Sequence, residues 1–350
     1  AKDLSNYSPP WQHAVKTTFA TEAKTPTFDP MWQPTNAKGK KKNDSGRGEF
    51  RGPSRQGWYA IPKGDGREFY GTHYWTKEET FIDPASEELL GDDSDLIMQR
   101  ALGFIDEHRE NPFLAVIWLH APHLPCVASK EDTDNYAAAD PKLDGLHLNY
   151  YGCVTALDRA VGKLRGRLRK LGVAGNTLVA FCSDNGPEGN QNAPGRQGHF
   201  KGRKRSLYEG GVRVPSLLEW PARIKPGTNS EVATCTVDYF PTILDLLDIE
   251  MPDDRPLDGI SLVPLFEGRL ESRPSPLGFH IRGQAAWHDG AWKAYCSKVN
   301  SHEWELYNLK DDPHEKKNRA ADKLLKLEAM VGDWEKWKAS VEKSDKGGDY

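Results

Sequence analysis

The sequence lacks several features that would place it at once in a common class of protein. It has no run of about 18 apolar residues, the length a helix needs to cross a bilayer, so we expect no membrane-spanning segment. It also has no excess of basic charge. Its 47 lysines and arginines against 51 aspartates and glutamates give a formal net charge of −4, which argues against a dedicated nucleic-acid-binding protein. Residues 1–10 contain no apolar segment, so no signal peptide is visible in this chain.

Cysteine is scarce as well, and none of the five cysteines forms a C-x-x-C pair, so neither a zinc knuckle nor a redox motif is indicated. Aromatic residues are plentiful by contrast. The 11 Trp, 12 Tyr and 12 Phe can build a sizeable core even though 28% of the residues are charged. With about 150 residues per domain, a chain of 350 residues predicts roughly two domains.

Residues 1–94 show no sustained helical or strand periodicity, and we expect them to be irregular. Residues 36–55 are rich in lysine and glycine. A solvated surface loop and a basic rim that attracts an anionic polymer are both compatible with that composition.

Regular periodicity begins near residue 95. Apolar residues at helical spacing from Ile97 to Ile105 are followed by the apolar run Phe113–Leu119, which is typical of a strand buried on both faces. The pattern repeats with a helix over Val154–Leu168 and a strand over Thr177–Cys182. Alternating helices and strands predict an α/β fold with a mainly parallel central sheet flanked by helices.

The rest of the chain predicts a strand, a helix, and then a small C-terminal α+β module with an antiparallel sheet. We expect an α/β domain over residues 1–268 and the small module over residues 269–350. The segments concerned are Ser216–Trp220 (strand), Asp238–Leu247 (helix), residues 270–284 (crossover), Ala286–Cys296 and Trp304–Tyr307 (β structure), and Ala320–Val341 (final helix).

Polar residues follow both predicted strands of the α/β domain, at the sheet edge where ligands bind in such folds. Asp184, Asn185 and Gly186 form either an ordinary turn or, through hard oxygen ligands, a Ca²⁺ or Mg²⁺ site. His120 and His123 follow the first strand and are either hydrogen-bonded structural groups or proton donors.

A basic cluster lies further along, at Lys201, Arg203, Lys204 and Arg205, next to glycines. Such a cluster is either a solvated face or a binding site for an anion.

The order and spacing of these segments resemble the type I, formylglycine-dependent sulfatase family, which belongs to the alkaline-phosphatase-like superfamily. The similar segments are Phe113–Pro125, Tyr151–Gly186, Gly202–Pro215, Leu257–Leu265 and Glu305–Pro313. The resemblance implies a sulfuric ester hydrolase with that fold. It places Asp184 and Asn185 at two metal-ligand positions, His123 at a position that assists the leaving group, and Lys204 at a sulfate-binding position. His199 is expected to line the same pocket, and His120 to be structural.

One departure from the family is large. The family's nucleophile is a Cys or Ser in C/S-x-P-x-R, converted to formylglycine, and the only similar text here is Arg51–Arg55, with arginine at the nucleophile position. We interpret this match as a coincidence and expect that an N-terminal portion of the protein is missing from the chain. The precursor of formylglycine would then lie in that portion.

The resemblance implies cleavage of sulfate monoesters, of sulfated carbohydrate or aryl sulfates, through a metal-assisted covalent sulfo-enzyme. The implied cofactor is Ca²⁺, with Mg²⁺ as the alternative. A related phosphodiesterase or phosphonate monoester hydrolase, and a non-catalytic protein that binds sulfated glycan, remain open. The family also implies export to the periplasm or the extracellular space.

Overall fold

A computed structural model gives the structure of the chain. It describes residues 16–21, 26–29, 32–34, 63, 65, 67–69, 72, 74–76, 81–83, 86–123, 126–190 and 192–349. The lysine-rich segment 36–55, which includes Arg51–Arg55, lies outside the described residues. The chain divides into two compact units, residues 1–174 and 175–350, and the expected boundary after residue 268 stays a prediction. Among the described helices, none combines the length and apolar character that crossing a bilayer requires.

Short antiparallel pairs make up the described β structure of the first unit. Here β1 pairs with β5, β5 with β6, β2 with β7, and β3 with β4. The strands are β1 Phe19–Thr21, β2 Phe28–Asp29, β3 Trp32–Pro34, β4 Arg67–Phe69, β5 Tyr74–Thr76, β6 Phe81–Ile82 and β7 Gly91–Asp92.

Three helices follow, α1 Asp93–His108, α2 Lys130–Ala139 and α3 Gly145–Lys170. Each begins at a side chain that caps a free backbone N–H of its first turn, as at Asp92, where the carboxylate accepts from the N–H of Ser94. Helix α3 ends before Gly172, whose φ of 74° favours glycine. The periodicity therefore predicted α1 and the C-terminal two thirds of α3 correctly.

The prediction of a strand over Phe113–Leu119 was wrong. The segment is not part of a sheet, and its side chains alternate between half-buried and exposed, with Leu114, Val116 and Trp118 exposed by 65%, 66% and 79%. The period of two is that of an extended chain. An apolar run favours extended backbone locally, but burial on both faces requires neighbouring elements that the run itself does not specify.

The second unit begins with a two-stranded antiparallel ladder, β8 Val179–Cys182 with β9 Ser216–Glu219. Both strands were predicted, although their side chains are half-buried or exposed and not fully buried. Every strand pair in the described part of the chain is antiparallel, so the expected parallel ladder is not among these residues. Between and after these strands lie α4 Glu209–Val212, α5 Tyr239–Leu247 and α6 Val263–Phe266.

A four-stranded antiparallel sheet packed against one long helix closes the second unit. Its elements are β10 Leu277–Ile281, β11 Gln284–Asp289, β12 Trp292–Cys296, β13 Trp304–Asn308 and α7 Leu324–Asp345. Residues 277–281 form the edge strand β10, so interpreting all of 270–284 as a crossover was wrong. Trp334 of α7 is 2% exposed and packs edge-on against Trp304. Its indole N–H donates to the backbone oxygen of Phe279, which fixes the helix on the sheet.

Candidate active site

Asp184 and Asn185 lie in a turn directly after β8. The backbone N–H of Ser183 donates to the oxygen of Pro215 at 3.3 Å, and the Ser183 hydroxyl donates to the oxygen of Asn185 at 3.0 Å. The side chain of Asp184 is exposed, and no ion pair holds it among the described residues. The turn is therefore rigid in its backbone, while its carboxylate stays available to a ligand.

The same turn packs against the glycines of α4 with no room for a side chain. The N–H of Gly186 donates to the oxygen of Gly211 at 2.9 Å. A Cβ added to Gly186 would lie 1.9 Å from the oxygen of Gly210, far inside any real contact. Glycine is thus required at position 186 by the close approach of two backbones.

Lys204 lies in the loop that precedes α4 and is tied to the Asp184 turn. Its backbone N–H donates to the oxygen of Pro187 at 3.1 Å. Its ammonium lies 3.7 Å from Glu188, whose carboxylate also accepts from Arg205. Burial alone would raise the pKa of Glu188, but the hydrogen bond from Arg205 and the nearby charge of Lys204 bring it below its usual range. The predicted sulfate-binding ammonium therefore shares its surroundings with a carboxylate.

Arg203, another member of the predicted basic cluster, has a structural role. Its guanidinium donates to the side chain of Gln197 at 2.6 Å and to the backbone oxygens of Glu188 and Gly195 at 2.9 and 2.7 Å. These bonds fold the glycine-rich loop onto itself. The cluster is consequently neither a uniformly solvated face nor a group of free cations, since each member has a partner and Lys204 and Arg205 share Glu188.

His199 is exposed on the loop before Lys204, and its ring meets the ring of His314 edge-on at 5.8 Å. His314 follows β13 and also packs near Phe200. His199 thus lies at a surface to which a second histidine contributes. Its contact with a substrate stays a prediction.

The two histidines after the 113–119 segment have separate surroundings. His120 Nδ1 lies 2.6 Å from the buried carboxylate of Asp93, which is the contact of a structural histidine. The backbone N–H of His123 donates to the oxygen of His120 at 2.6 Å, which closes a tight turn. His123 belongs to the first unit and Lys204 to the second, so their meeting at one site stays a prediction.

A metal ion is implied by the resemblance, and the side chains fit it only in part. Carboxylate and amide oxygens at Asp184 and Asn185 are of the type that Ca²⁺ prefers, but Ca²⁺ takes about six to eight oxygen ligands. Across the described residues, no group of three His, Cys, Asp or Glu side chains lies together as a metal site would require. The described residues therefore supply part of a ligand set and do not form a complete centre.

Sequence reasoning missed a buried charge cluster in the second unit. Glu209, Lys293 and Glu315 lie at 6%, 1% and 1% exposure and contact one another through their charged groups. A signal was present, because Lys293 is a lone charge in an otherwise apolar strand and such a lysine needs a partner if it is buried.

Comparison with known proteins identifies the chain's relatives. The Sulfatase family profile matches residues 45–249, and the profile of N-sulphoglucosamine sulphohydrolase, C-terminal, matches residues 195–332. Steryl-sulfatase of Rattus norvegicus is 34% identical over 217 residues, covering 56% of this chain and 35% of the relative. N-acetylgalactosamine-6-sulfatase of Sus scrofa is 36% identical over 219 residues, covering 61% and 38%.

The solved structure of Ps i-CgsB is similar at a TM-score of 0.67 and 29% identity, covering 77% of this chain and 58% of that one. The expected α/β, alkaline-phosphatase-like class is thereby confirmed. The chain spans about a third to two fifths of the length of the curated relatives it matches. Because the family profile covers more than half of the chain, the chain belongs to the sulfatase family.

Proposed function

We propose that this protein is a sulfuric ester hydrolase that cleaves sulfate monoesters of sulfated carbohydrates. The observation that carries the proposal is the arrangement in the second unit. The Asp184–Gly186 turn and the Lys204 loop, which hold the family's polar positions, are joined backbone to backbone at Pro187 and Gly211. A sulfate ester is a stable anion, so its cleavage depends chiefly on groups held in advance where charge develops.

Each predicted residue has a distinct part in the proposal. The ammonium of Lys204 binds sulfate oxygens, for which it must leave Glu188 at 3.7 Å. The imidazole of His123 donates a proton or hydrogen bond to the departing alcohol oxygen, a contribution of typically ~10²–10⁴-fold in rate. His199 contacts the alcohol portion of the substrate. Glu188 limits the positive charge near Lys204 when no substrate is bound.

The proposal includes a metal ion and a covalent sulfo-enzyme. Asp184 and Asn185 are two oxygen ligands of Ca²⁺, or alternatively of Mg²⁺, and the bound ion supplies positive charge near the sulfate. The nucleophile is formylglycine, as in the family, and its Cys- or Ser-x-Pro-x-Arg precursor does not occur in the 350 residues. That observation favours a second candidate, a non-catalytic protein that binds sulfated glycan.

The substrate class rests on the relatives. One relative is named an N-acetylgalactosamine-6-sulfatase, and Ps i-CgsB was crystallised in complex with k-i-k-neocarrahexaose, an oligosaccharide. We therefore propose a sulfated carbohydrate in preference to an aryl sulfate.

We also propose that the protein is exported from the cytoplasm. Cell fractionation followed by immunoblotting checks this directly.

The deciding experiment measures sulfate release from sulfated oligosaccharides, with 4-nitrophenyl sulfate and 4-nitrophenyl phosphate in parallel. It uses the 350-residue chain and any longer product of its gene. We expect sulfate release, in the presence of Ca²⁺, from a longer product that carries the nucleophile, and a loss of about 10²-fold or more in its kcat/KM for Lys204→Ala. The matched control is Lys225→Ala, an exposed lysine of the same unit, which should retain full activity.

Other outcomes assign the protein differently. Cleavage of only the phosphate ester would make it a phosphoryl-transfer hydrolase and contradict the proposal. Saturable binding of sulfated oligosaccharide without turnover, in every product of the gene, would favour the non-catalytic candidate. Calcium titration calorimetry on Asp184→Ala tests the metal ligand separately, since an unchanged calcium affinity would remove Asp184 from the ligand set.

A further inference from the structure

The three charged groups of the missed cluster come from distant positions in the second unit and meet in its interior. Glu209 is the first residue of α4, Lys293 lies in β12, and Glu315 follows β13. The ammonium of Lys293 lies 2.8 Å from Glu209 Oε1 and 3.0 Å from Glu315 Oε1. The other oxygen of Glu315, Oε2, accepts the backbone N–H of Glu209 at 2.7 Å. Glu315 therefore holds both the backbone of α4, at the N–H of Glu209, and the ammonium of Lys293, which neutralises the side chain of Glu209.

The residues next to Glu209 are the ones that contact the candidate active site. The N–H of Gly210 donates to the oxygen of Lys201 at 2.7 Å, at the start of the Lys204 loop. The oxygen of Gly211 accepts the N–H of Gly186, at the end of the Asp184 turn. A Cβ on Gly210 would lie 2.3 Å from the oxygen of Gly202, so these backbones approach too closely to admit a side chain. One turn thus sets the position of both segments.

Stability alone does not account for the cluster. Two carboxylates and one ammonium are costly to desolvate, and replacing a buried ionic group of this kind with apolar residues of similar volume is often neutral or stabilising. Arg213 is the next cation, 3.8 Å from Glu209 and half exposed. What an ionic cluster offers, and an apolar one does not, is directional bonds that allow a single placement of the α4 backbone.

We infer that Glu209, Lys293 and Glu315 form a positioning cluster, which places the Asp184 turn and Lys204 relative to each other from the C-terminal sheet. The inference rests on the proposed function for its consequence in catalysis. Its structural part, the coupling of the two segments through α4, is independent of the reaction. The C-terminal sheet then helps to position the active site, although none of the three cluster side chains contacts the substrate.

Glu315→Ala is the variant that breaks the cluster, because it removes both the acceptor for the Glu209 N–H and the second anion of Lys293. Glu315→Gln is its conservative partner, since the amide oxygen keeps the acceptor. Met330→Ala is the matched control. Met330 is buried in the core between the sheet and α7, so its truncation destabilises the same unit without touching the cluster.

At a temperature where all three variants are folded, we expect Glu315→Ala to lower kcat by roughly 10²-fold with a much smaller change in KM, because misplaced groups cost catalysis more than binding. Glu315→Gln should restore most of the lost kcat, and Met330→Ala should leave kcat within about twofold of wild type. Equal losses of kcat in Glu315→Ala and Met330→Ala would reduce the cluster to a structural role and overturn the inference.

Amide hydrogen exchange decides the structural part without any turnover. In Glu315→Ala, the amides of Asn185–Gly186 and Lys201–Lys204 should exchange at least about tenfold faster, whereas in Met330→Ala they should not. If Glu315→Ala fails to fold, wild-type exchange replaces it, and the amides of Gly186, Gly210 and Gly211 should open together with that of Lys293. Independent opening of Gly186 would overturn the inference. A wild-type protein that releases no sulfate but shows coupled exchange would refute the proposed function alone.

Discussion

Two groups of buried carboxylates, one in each unit of the chain, reduce the cost of burial in different ways. In the second unit, the positioning cluster places the ammonium of Lys293 between Glu209 and Glu315. In the first unit, Asp92 and Asp93 are adjacent and almost fully buried at the start of α1. Among the described residues, the only ion-pair partner of either is the imidazole of His120, which contacts Asp93.

The difference shows in the pKa values. Burial, and then the neighbouring charge of Asp93, raises the pKa of Asp92 to about 7, and its Oδ2 atom finds no hydrogen-bond partner in the described part of the chain. Burial also raises the pKa of Glu315, but there Lys293 opposes it. The second unit therefore pairs its buried carboxylates with the ammonium of Lys293, which opposes the rise in the pKa of Glu315, whereas Asp92 has no ion-paired cation among the described residues and stays largely protonated up to neutral pH.

The most disruptive way to remove this difference is Lys293→Met, which would leave two buried carboxylates without their cation. Breaking a buried pair by removing one partner costs about 3–5 kcal/mol, so we expect a loss of that size in the free energy of unfolding at pH 7.5. Urea unfolding followed by tryptophan fluorescence measures it. Lys310→Met, at an exposed position, should change the stability by less than about 0.5 kcal/mol. A loss in Lys293→Met no larger than in this control would show that the carboxylates do not depend on Lys293.

How far the sequence predicted the fold depended on whether a signal was local. Helices α1, α5 and α7 were predicted because the apolar residues of an amphipathic helix lie within a few turns of one another. The run Phe113–Leu119 carried an equally clear pattern and was interpreted wrongly. A strand is completed by neighbours elsewhere in the chain, and periodicity contains no information about them.

The same distinction applies to the candidate site. Asp184, Asn185 and Lys204 could be proposed as site residues because each lies in a short, recognisable sequence motif. That Gly186 joins them through Gly211 could not be read from spacing, since the contact depends on how two backbones approach. The cluster was missed for the same reason, because Glu209 and Lys293 are 84 positions apart in sequence.

An effect of intermediate size is expected in the first unit, in the pH dependence of stability that comes from Asp92. The folded-state pKa of Asp92, about 7, lies above the unfolded value of 3.8, so its contribution to stability is fully present below pH 3.8 and is lost as the pH rises through 7. Asp92→Asn keeps the oxygen that accepts the N–H of Ser94 and removes the titration. Wild type should therefore lose on the order of 2 kcal/mol more stability than Asp92→Asn between pH 5 and 8.

Urea unfolding across that pH range measures the effect of Asp92→Asn. Asp134→Asn, a change of an exposed carboxylate in the same unit, is the control and should follow wild type. Parallel pH profiles for wild type and Asp92→Asn would show that Asp92 is ionised in the folded protein at pH 5, and the contrast between the two units would disappear.

The smallest expected effect concerns His288 in the second unit, whose contribution to stability changes with pH in the opposite direction to that of Asp92. His288 pairs with Lys293 across the β11–β12 ladder, and burial, joined by the charge of Lys293 and opposed by that of Glu209, lowers its pKa. A lowered histidine pKa gives stability that is present above the unfolded value of 6.5 and is lost as the pH falls. On acidification from pH 7 to 5, the first unit should gain stability through Asp92, whereas in the second unit protonation of His288 opposes the gain that comes from the raised pKa of Glu315. Hydrogen exchange of the β11 and β12 amides isolates the second unit, and His288→Gln should change its pH dependence by less than Asp92→Asn changes that of the first. If wild type and His288→Gln showed the same pH dependence, Glu209 would outweigh burial and Lys293 at His288.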